Sequence, residues 1–307
     1  MLLKPAVIDD VHDHDGGLAV DLEVLRVLDR RRALGFLGAA GGAAFLAACG
    51  PDESGSSTSS GLTATPTPTA TVTPTPTPTP TPSSTSGANG SCVAYARETN
   101  GPYPADGTNL SRGVTSNVLT ATAFQRQDIR SSLLGSSAVA PGVLTDLILT
   151  FVDVNNACAP LVGYAIYVWH CDAEGLYSLY DLPAESYLRG IQVTDANGQV
   201  TFRTIFPGCY AGRYPHIHFE AFTSLANATA GNYARLVSQF AMPAGAATEV
   251  YALATYGDSL SRFRQTSIGS DNVFGDNTSA QQTAMMLEMS GSASAGYTGI
   301  ASIGIST

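Results

Sequence analysis

Residues 213–222, RYPHIHFEAF, place two of the chain's five histidines two positions apart in a strand-like pattern. Side chains at positions i and i+2 of a β-strand point to the same face, so His216 and His218 present two imidazoles side by side. Ile217 and Phe219 alternate with them and point into the core. Paired imidazoles on one face suit a metal ion, although a merely polar strand face has the same pattern.

Apolar runs on both sides of this segment predict a β-rich domain at residues 91–307. They are VLTDLILTFVDV (143–154), YAIYVWH (164–170), QVTFRTIF (199–206), HIHFEAF (216–222) and RLVSQFAM (235–242). Turn signals such as Asn197 with Gly198 separate them, and residues 285–305 have the pattern of a hairpin with a Gly- and Ser-rich loop. Helix-period patterns are scarce. We therefore expect an all-β fold, a β-sandwich.

The first residues have the features of an export signal. Three arginines from Arg30 precede an apolar stretch at 33–48 that ends at Cys49. This stretch is shorter than the roughly 20 residues that span a bilayer, and the pattern resembles a twin-arginine signal with a bacterial lipobox. We expect residues 1–48 to be removed and Cys49 to be lipidated, which anchors the protein to a bacterial membrane outside the cytoplasm. The alternative is a buried Ala-rich helix with an incidental cysteine.

Residues 49–90 have the composition of a disordered stalk. They are mostly Ser, Thr, Pro and Gly, and an alternating Thr-Pro run occupies 73–82. Such a segment cannot bury enough apolar surface to offset its ordering entropy. Extended polyproline-like chain of some 40 residues could reach on the order of 100 Å. A ligand for an SH3-type domain is the alternative interpretation.

Charge and cysteine content restrict the function further. Only 13% of the residues are charged and the net charge is -10, which argues against nucleic acid as a partner. With Cys49 assigned to the lipid, an even number of cysteines is left in the domain, which suits disulfides in an oxidising compartment. These are Cys92, Cys158, Cys171 and Cys209. No C-x-x-C spacing occurs, so a cysteine zinc site is disfavoured.

Three segments together resemble a known family. They are ETNGPYPADG (98–107), VWHCDAEGLYSLYD (168–181) and the block from Tyr187 to Phe222 that contains PGCYAGRYPHIHF. They resemble the intradiol ring-cleavage dioxygenases of the protocatechuate and catechol type, and most closely the exported branch of that family. The resemblance implies a β-sandwich with a non-haem Fe(III) ion. It also implies that O2 opens a catechol-type ring between its two hydroxyls to give a cis,cis-muconate-type diacid.

The resemblance also implies the ligand set. Matched by motif, the metal ligands are Tyr177, Tyr210, His216 and His218, with Tyr210 and His218 axial. Phenolates are hard anionic donors that favour the ferric state, and imidazoles complete the site without adding charge. Tyr210 is further expected to take a proton from the incoming diol. The loop from Tyr210 to His216 is shorter than in the best-known members, so the substrate pocket is expected to be open.

The resemblance suggests roles for three more residues. Arg213 matches an arginine that stabilises charge on the substrate ring, and Gln239 matches a glutamine that lies behind the ligands. Tyr103 is expected to approach the substrate. The helical dimerisation region of the catechol-type members has no counterpart here, and the oligomeric state is left open.

The expected metal site also suggests how the cysteines pair. Cys171 and Cys209 each come shortly before an expected tyrosine ligand, so convergence on one metal would bring their backbones within disulfide range. We therefore expect Cys171 to pair with Cys209, and Cys92 with Cys158.

Two alternatives stay open. His216, His218 and Glu220 share one strand face, so a site for Fe(II) or zinc made of two histidines and a carboxylate is geometrically possible. Visible colour discriminates, because tyrosinate on Fe(III) absorbs in the visible range. The second alternative is a lipid-tethered surface binding module that keeps the fold without the chemistry.

Overall fold

A computed structural model of the chain describes residues 92–307, which all lie in one compact unit. The predicted signal segment (1–48) and the predicted stalk (49–90) lie outside the described residues and stay predictions. Within residues 92–307, no helix is both long and apolar enough to cross a bilayer.

The described residues form eleven strands and three short α-helices. The strands are β1 Asp106–Ser111, β2 Val114–Asn117, β3 Leu144–Asp153, β4 Ala159–Pro160, β5 Ala165–Trp169, β6 Arg189–Val193, β7 Gln199–Ile205, β8 His216–Phe222, β9 Leu236–Ala241, β10 Glu288–Ser292 and β11 Gly296–Ile305. The helices are α1 Ala244–Val250, α2 Ser259–Phe263 and α3 Ser279–Met285.

Two larger sheets contain most of the strands. One sheet has the order β6-β5-β8-β9, and all of its pairings are antiparallel. In the other sheet β3 is central, because it pairs with β11 in parallel and with β7 and β4 in antiparallel fashion, and β10 flanks β11. Strands β1 and β2 form a separate hairpin.

The core of the sandwich lies between the two larger sheets. Alternate residues of their strands meet there and are fully buried, as period-2 patterning requires. They include Leu147, Leu149, Phe151, Val168, Phe202, Ile217, Phe219 and Phe240. Burying each such side chain stabilises the fold by about 1.5–3 kcal/mol.

The outer face of the four-stranded sheet is covered as well. Every residue of β8 is buried. A second apolar cluster lies on this face and includes Ala105, Phe124, Tyr167, Trp169 and Tyr177. The residues before β3 and the loop after β5 supply part of this cover. The histidines of β8 therefore lie in an enclosed layer outside the main core.

The structure confirms the sandwich-like sheets and all five predicted runs, which form β3, β5, β7, β8 and β9. The C-terminal hairpin is confirmed as β10 and β11. Between β6 and β7 the predicted turn has Gly198 at φ +72°, and a Cβ there would lie 2.5 Å from the Phe151 carbonyl oxygen. The β1–β2 hairpin and the three helices were not predicted, and α3 begins with a capping box between Thr278 and Gln281.

One predicted disulfide is confirmed and the other is wrong. Cys92 and Cys158 are bonded, with a Cα–Cα distance of 5.9 Å. Cys171 and Cys209 are free, buried thiols. Their backbones are close, as expected, since the N–H of Gly208 donates to the carbonyl of Asp172 at 2.9 Å.

The two free thiols point to different acceptors. The Sγ of Cys171 donates to the Gly208 carbonyl at 3.5 Å, and the Sγ of Cys209 lies 3.6 Å from the Arg213 carbonyl. Burial raises the pKa of both thiols, that of Cys209 to about 12. Close backbones are necessary for a disulfide between Cys171 and Cys209, but they do not fix the directions of the two side chains.

Candidate metal centre

Strand β8 and its neighbours fix the two histidines. The ring of His218 stacks on Trp169, its partner across the β5–β8 pair, with centroids 4.8 Å apart and planes 6° from parallel. The chain before β1 approaches His218 at Gly101, where φ is +69° and a Cβ would lie 3.3 Å from Cε1 of His218. Both the backbone angle and the close approach favour glycine at this position.

Two loops bring the tyrosines to the histidines. Tyr177 lies in the loop after β5, where its N–H donates to Asp181 Oδ2 at 2.9 Å, and Tyr210 lies between β7 and β8. Their ring centroids are 5.8 Å apart. The ring of Tyr103 packs on Tyr177, with centroids 4.9 Å apart. That Tyr103 approaches the substrate stays a prediction.

Three polar atoms converge between these elements. His216 Nε2 lies 3.0 Å from His218 Nε2 and 3.1 Å from the Tyr210 hydroxyl. His216 Nδ1 lies 2.6 Å from the Tyr214 carbonyl, which can only accept a hydrogen bond. Nδ1 therefore carries the proton, and Nε2 presents its single lone pair to two neighbours. One lone pair cannot serve two donors well, whereas a cation among the three atoms would satisfy all of them.

The protonation states also suit a cation. Burial lowers the pKa of His216, and burial followed by the neighbouring His216 lowers the pKa of His218. Both imidazoles are therefore neutral near pH 7, which is the form that binds metals.

The buried phenol of Tyr177 points to the same conclusion. Burial, and then the neighbouring Tyr210, raises the pKa of Tyr177, so it is a phenol in the absence of a cation. Within residues 92–307 its hydroxyl forms no hydrogen bond of ordinary geometry. Leaving such a group unsatisfied costs about 1–3 kcal/mol. A metal ion that binds the phenolate would remove this cost.

Arg213 and Gln239 form a hydrogen-bonded pair next to His218. Gln239 in β9 is the cross-strand partner of His218, and its Oε1 accepts from Arg213 Nη2 at 2.7 Å. Arg213 is only 3% exposed and pairs with the buried Asp271, with Nε 2.9 Å from Oδ2. The sequence analysis missed Asp271, because its surroundings between α2 and α3 have only the polar, turn-rich pattern of an exposed loop.

Comparison with known proteins bears on the family and the fold of the domain. Residues 122–239, which include all four expected ligands, match a family model described as Dioxygenase. An intradiol ring-cleavage dioxygenase from Tetranychus urticae is 24% identical, with a TM-score of 0.52 over 70% of this chain and 95% of that one. The resemblance to the intradiol ring-cleavage dioxygenases is confirmed. Whether the chain belongs to their exported branch stays a prediction.

More distant structures complete the comparison. The dioxygenase domain of a carbohydrate-binding fusion from Streptomyces sp. SirexAA-E is 20% identical, with a TM-score of 0.43 over 70% of this chain and 99% of that one. Catechol 1,2-dioxygenase from Pseudomonas arvilla C-1 is 16% identical, with a TM-score of 0.40 over 68% of this chain and 61% of that one. A search of curated proteins found no match.

The structure of this intradiol dioxygenase-like domain gives no support to the site of two histidines and Glu220. Glu220 is fully buried on the histidine face, but its carboxyl lies beside Asp106. A Cβ built on Gly231 would be 1.8 Å from Asp106 Oδ2 and 2.9 Å from Glu220 Oε1. Within residues 92–307, no group of three or more His, Cys, Asp or Glu side chains could hold a metal.

The remaining histidine of the domain is structural. His170 Nδ1 lies 2.7 Å from the Cys171 carbonyl, and Nε2 lies 2.6 Å from Thr204 Oγ1. Both ring nitrogens are therefore satisfied. Burial lowers the pKa of His170 to about 4, so the ring is neutral near pH 7.

Proposed function

We propose that residues 92–307 form an intradiol dioxygenase, which uses non-haem Fe(III) and O2 to open a catechol-type ring between its two hydroxyls. The observation that carries this proposal is the convergence of Tyr210 Oη, His216 Nε2 and His218 Nε2 within 3.1 Å contacts, beside the buried Tyr177. Two phenolates and two neutral imidazoles make a hard donor set that prefers Fe(III). When bound, the ferric ion would supply the activation of the aromatic diol toward O2.

The two tyrosines differ in a way that suggests separate roles. Tyr177 is 2% exposed, whereas Tyr210 is only partly buried. Tyr210 therefore lies on the side that a diol can reach, and we assign it the role of accepting a proton from the incoming substrate. Tyr177 would stay in place as a fixed anionic ligand.

The surrounding residues would orient the substrate and protect the reaction from water. Arg213 supplies a buried positive charge that can stabilise negative charge developing on the ring. Trp169 and Tyr103 place aromatic surface next to His218 and Tyr177, and this surface excludes water from the site.

Oxygen uptake with catechol tests this function directly. The purified, iron-loaded domain is expected to be reddish from tyrosinate on Fe(III), to bleach on chelation or reduction, and to consume O2 when catechol is added. A colourless protein with one tightly bound zinc ion would reject the dioxygenase site. A coloured protein without catechol-dependent uptake would favour the binding module.

We further propose that the domain is lipid-anchored through Cys49, because an arginine cluster, a short apolar stretch and a lipobox-like sequence precede it. Cys49→Ser is expected to move the protein from the membrane fraction to the soluble fraction, since a lipid chain supplies about 0.8 kcal/mol per buried CH₂. Membrane fractionation and mass analysis measure this. Full-length, unprocessed chain as the main membrane form of the wild type would contradict the proposal.

A further inference from the structure

The carboxylate of Asp271 is buried and accepts five hydrogen bonds. Its Oδ2 accepts from Arg213 Nε at 2.9 Å and from the Tyr214 N–H at 2.6 Å. Its Oδ1 accepts from Arg213 Nη2 at 3.3 Å and from the N–H groups of Val273 and Phe274 at 2.9 and 3.1 Å. Asp271 is 2% exposed. Such saturation is what a buried ion pair needs if its Coulombic attraction is to offset desolvation.

The charge on Asp271 is retained despite this burial. Burial alone would raise its pKa, but the adjacent Arg213 charge and the N–H donors outweigh it, so the pKa lies below the usual value. Asp271 is therefore an anion near pH 7.

Two chains of contacts lead from this carboxylate to the metal centre. The first passes through Arg213, whose Nη2 also donates to Gln239 Oε1 at 2.7 Å. Gln239 Nε2 in turn donates to the Thr99 carbonyl at 3.2 Å, which fixes the Gln239 amide. The guanidinium is therefore held by Asp271 and by Gln239. An arginine bound through its planar fork to two acceptors has one orientation.

The second chain passes through the backbone of Tyr214. Asp271 accepts the Tyr214 N–H, and the Tyr214 carbonyl accepts the Nδ1 proton of His216 at 2.6 Å. The carboxylate thus also fixes the turn that directs His216 Nε2 toward His218. An outer partner of this kind orients a metal-binding imidazole and sets its tautomer.

We propose that Asp271 is a positioning residue, which holds the Arg213 guanidinium toward the substrate position and fixes the turn that aims His216. The inference rests on the proposed function. It goes beyond the residues matched by the family motifs, because Asp271 lies 58 positions after Arg213 and outside residues 122–239.

Asp271→Asn tests both chains of contacts. The change keeps the shape of the side chain but removes its charge. Both carboxylate oxygens of Asp271 accept hydrogen bonds from N–H groups, and asparagine replaces one of them with an NH2 group that cannot accept. We expect kcat with catechol to fall about 10- to 100-fold, the effect typical of losing an outer partner, with a smaller change in KM. Because His216 loses its support, the visible tyrosinate band of the iron-loaded protein should also shift. Asp146→Asn is the matched control, since Asp146 forms a similar two-point pair with Arg203 at the surface.

A second variant, Arg213→Lys, keeps the proposal testable if Asp271→Asn fails to fold. Lysine keeps a positive charge next to Asp271, so Arg213→Lys leaves no buried charge unpaired. Lysine lacks the planar fork and cannot reach Asp271 and Gln239 with fixed geometry, so kcat should fall while the visible band stays unchanged. Wild-type kcat and band position in a folded, iron-loaded Asp271→Asn would overturn the proposal, as would wild-type kcat in Arg213→Lys. A wild-type protein without colour and catechol turnover would instead reject the proposed function.

Discussion

His216→Ala is expected to lower iron affinity by more than about 100-fold, which exceeds the usual effect of losing an outer partner, and to remove catechol turnover. His216 Nε2 is the atom that lies within 3.1 Å of both His218 Nε2 and the Tyr210 hydroxyl. Removing it leaves a gap between the other donors. Tyr177→Phe should have a similar effect, because it removes the buried phenolate. Iron content per chain and absorbance of the tyrosinate band measure both outcomes.

The matched control for this prediction is Glu220→Gln. Glu220 lies two positions beyond His218 on the same strand and face. The variant therefore tests whether changing any polar side chain on this face lowers iron content and turnover. Burial, and then the neighbouring Asp106, raises the pKa of Glu220, and glutamine is nearly isosteric with the neutral acid. Iron content and turnover should stay close to wild type. Loss of metal in Glu220→Gln, with iron retained in His216→Ala, would contradict the tyrosine and histidine centre.

Much of this arrangement was predictable because it depends on local periodicity. The two-residue period placed His216 and His218 on one face and Ile217 in the core. The family motifs supplied Tyr177 and Tyr210, which the structure brings to the same place through two separate loops. Gln239 was predicted by motif, and the β8–β9 register explains it, because it faces His218 directly.

The unpredicted parts depend on contacts between distant segments. Asp271 reaches Arg213 across 58 positions, and neither its neighbours nor its spacing distinguish it from an exposed loop aspartate. The approach of Gly101 to His218 likewise depends on how the chain before β1 crosses the sheet. The wrong pairing of Cys171 with Cys209 has a related cause, since close backbones do not set χ1. Sequence patterns specify faces and registers, whereas these features depend on three-dimensional packing.

Tyr210→Phe is expected to keep iron and colour but to lose catechol turnover by about 10²- to 10⁴-fold, the usual effect of removing a positioned proton acceptor. Three donors remain in this variant, and Tyr177 still supplies a phenolate, so the visible band should persist at altered intensity. Tyr210 is less buried than Tyr177, and its hydroxyl lies 3.1 Å from His216 Nε2. Stopped-flow absorbance on adding catechol separates binding from ring opening.

The control for this prediction is Tyr214→Phe, which removes a phenol from the same turn while keeping a ring that packs between Phe263 and Phe274. Its turnover should match wild type. If Tyr210→Phe turned over catechol at the wild-type rate, the proton would have to leave through another group. If the same variant lost its iron completely, Tyr210 would be needed mainly to hold the metal. Retained iron with lost turnover separates these roles, since the buried Tyr177 then holds the metal and the less buried Tyr210 accepts the substrate proton.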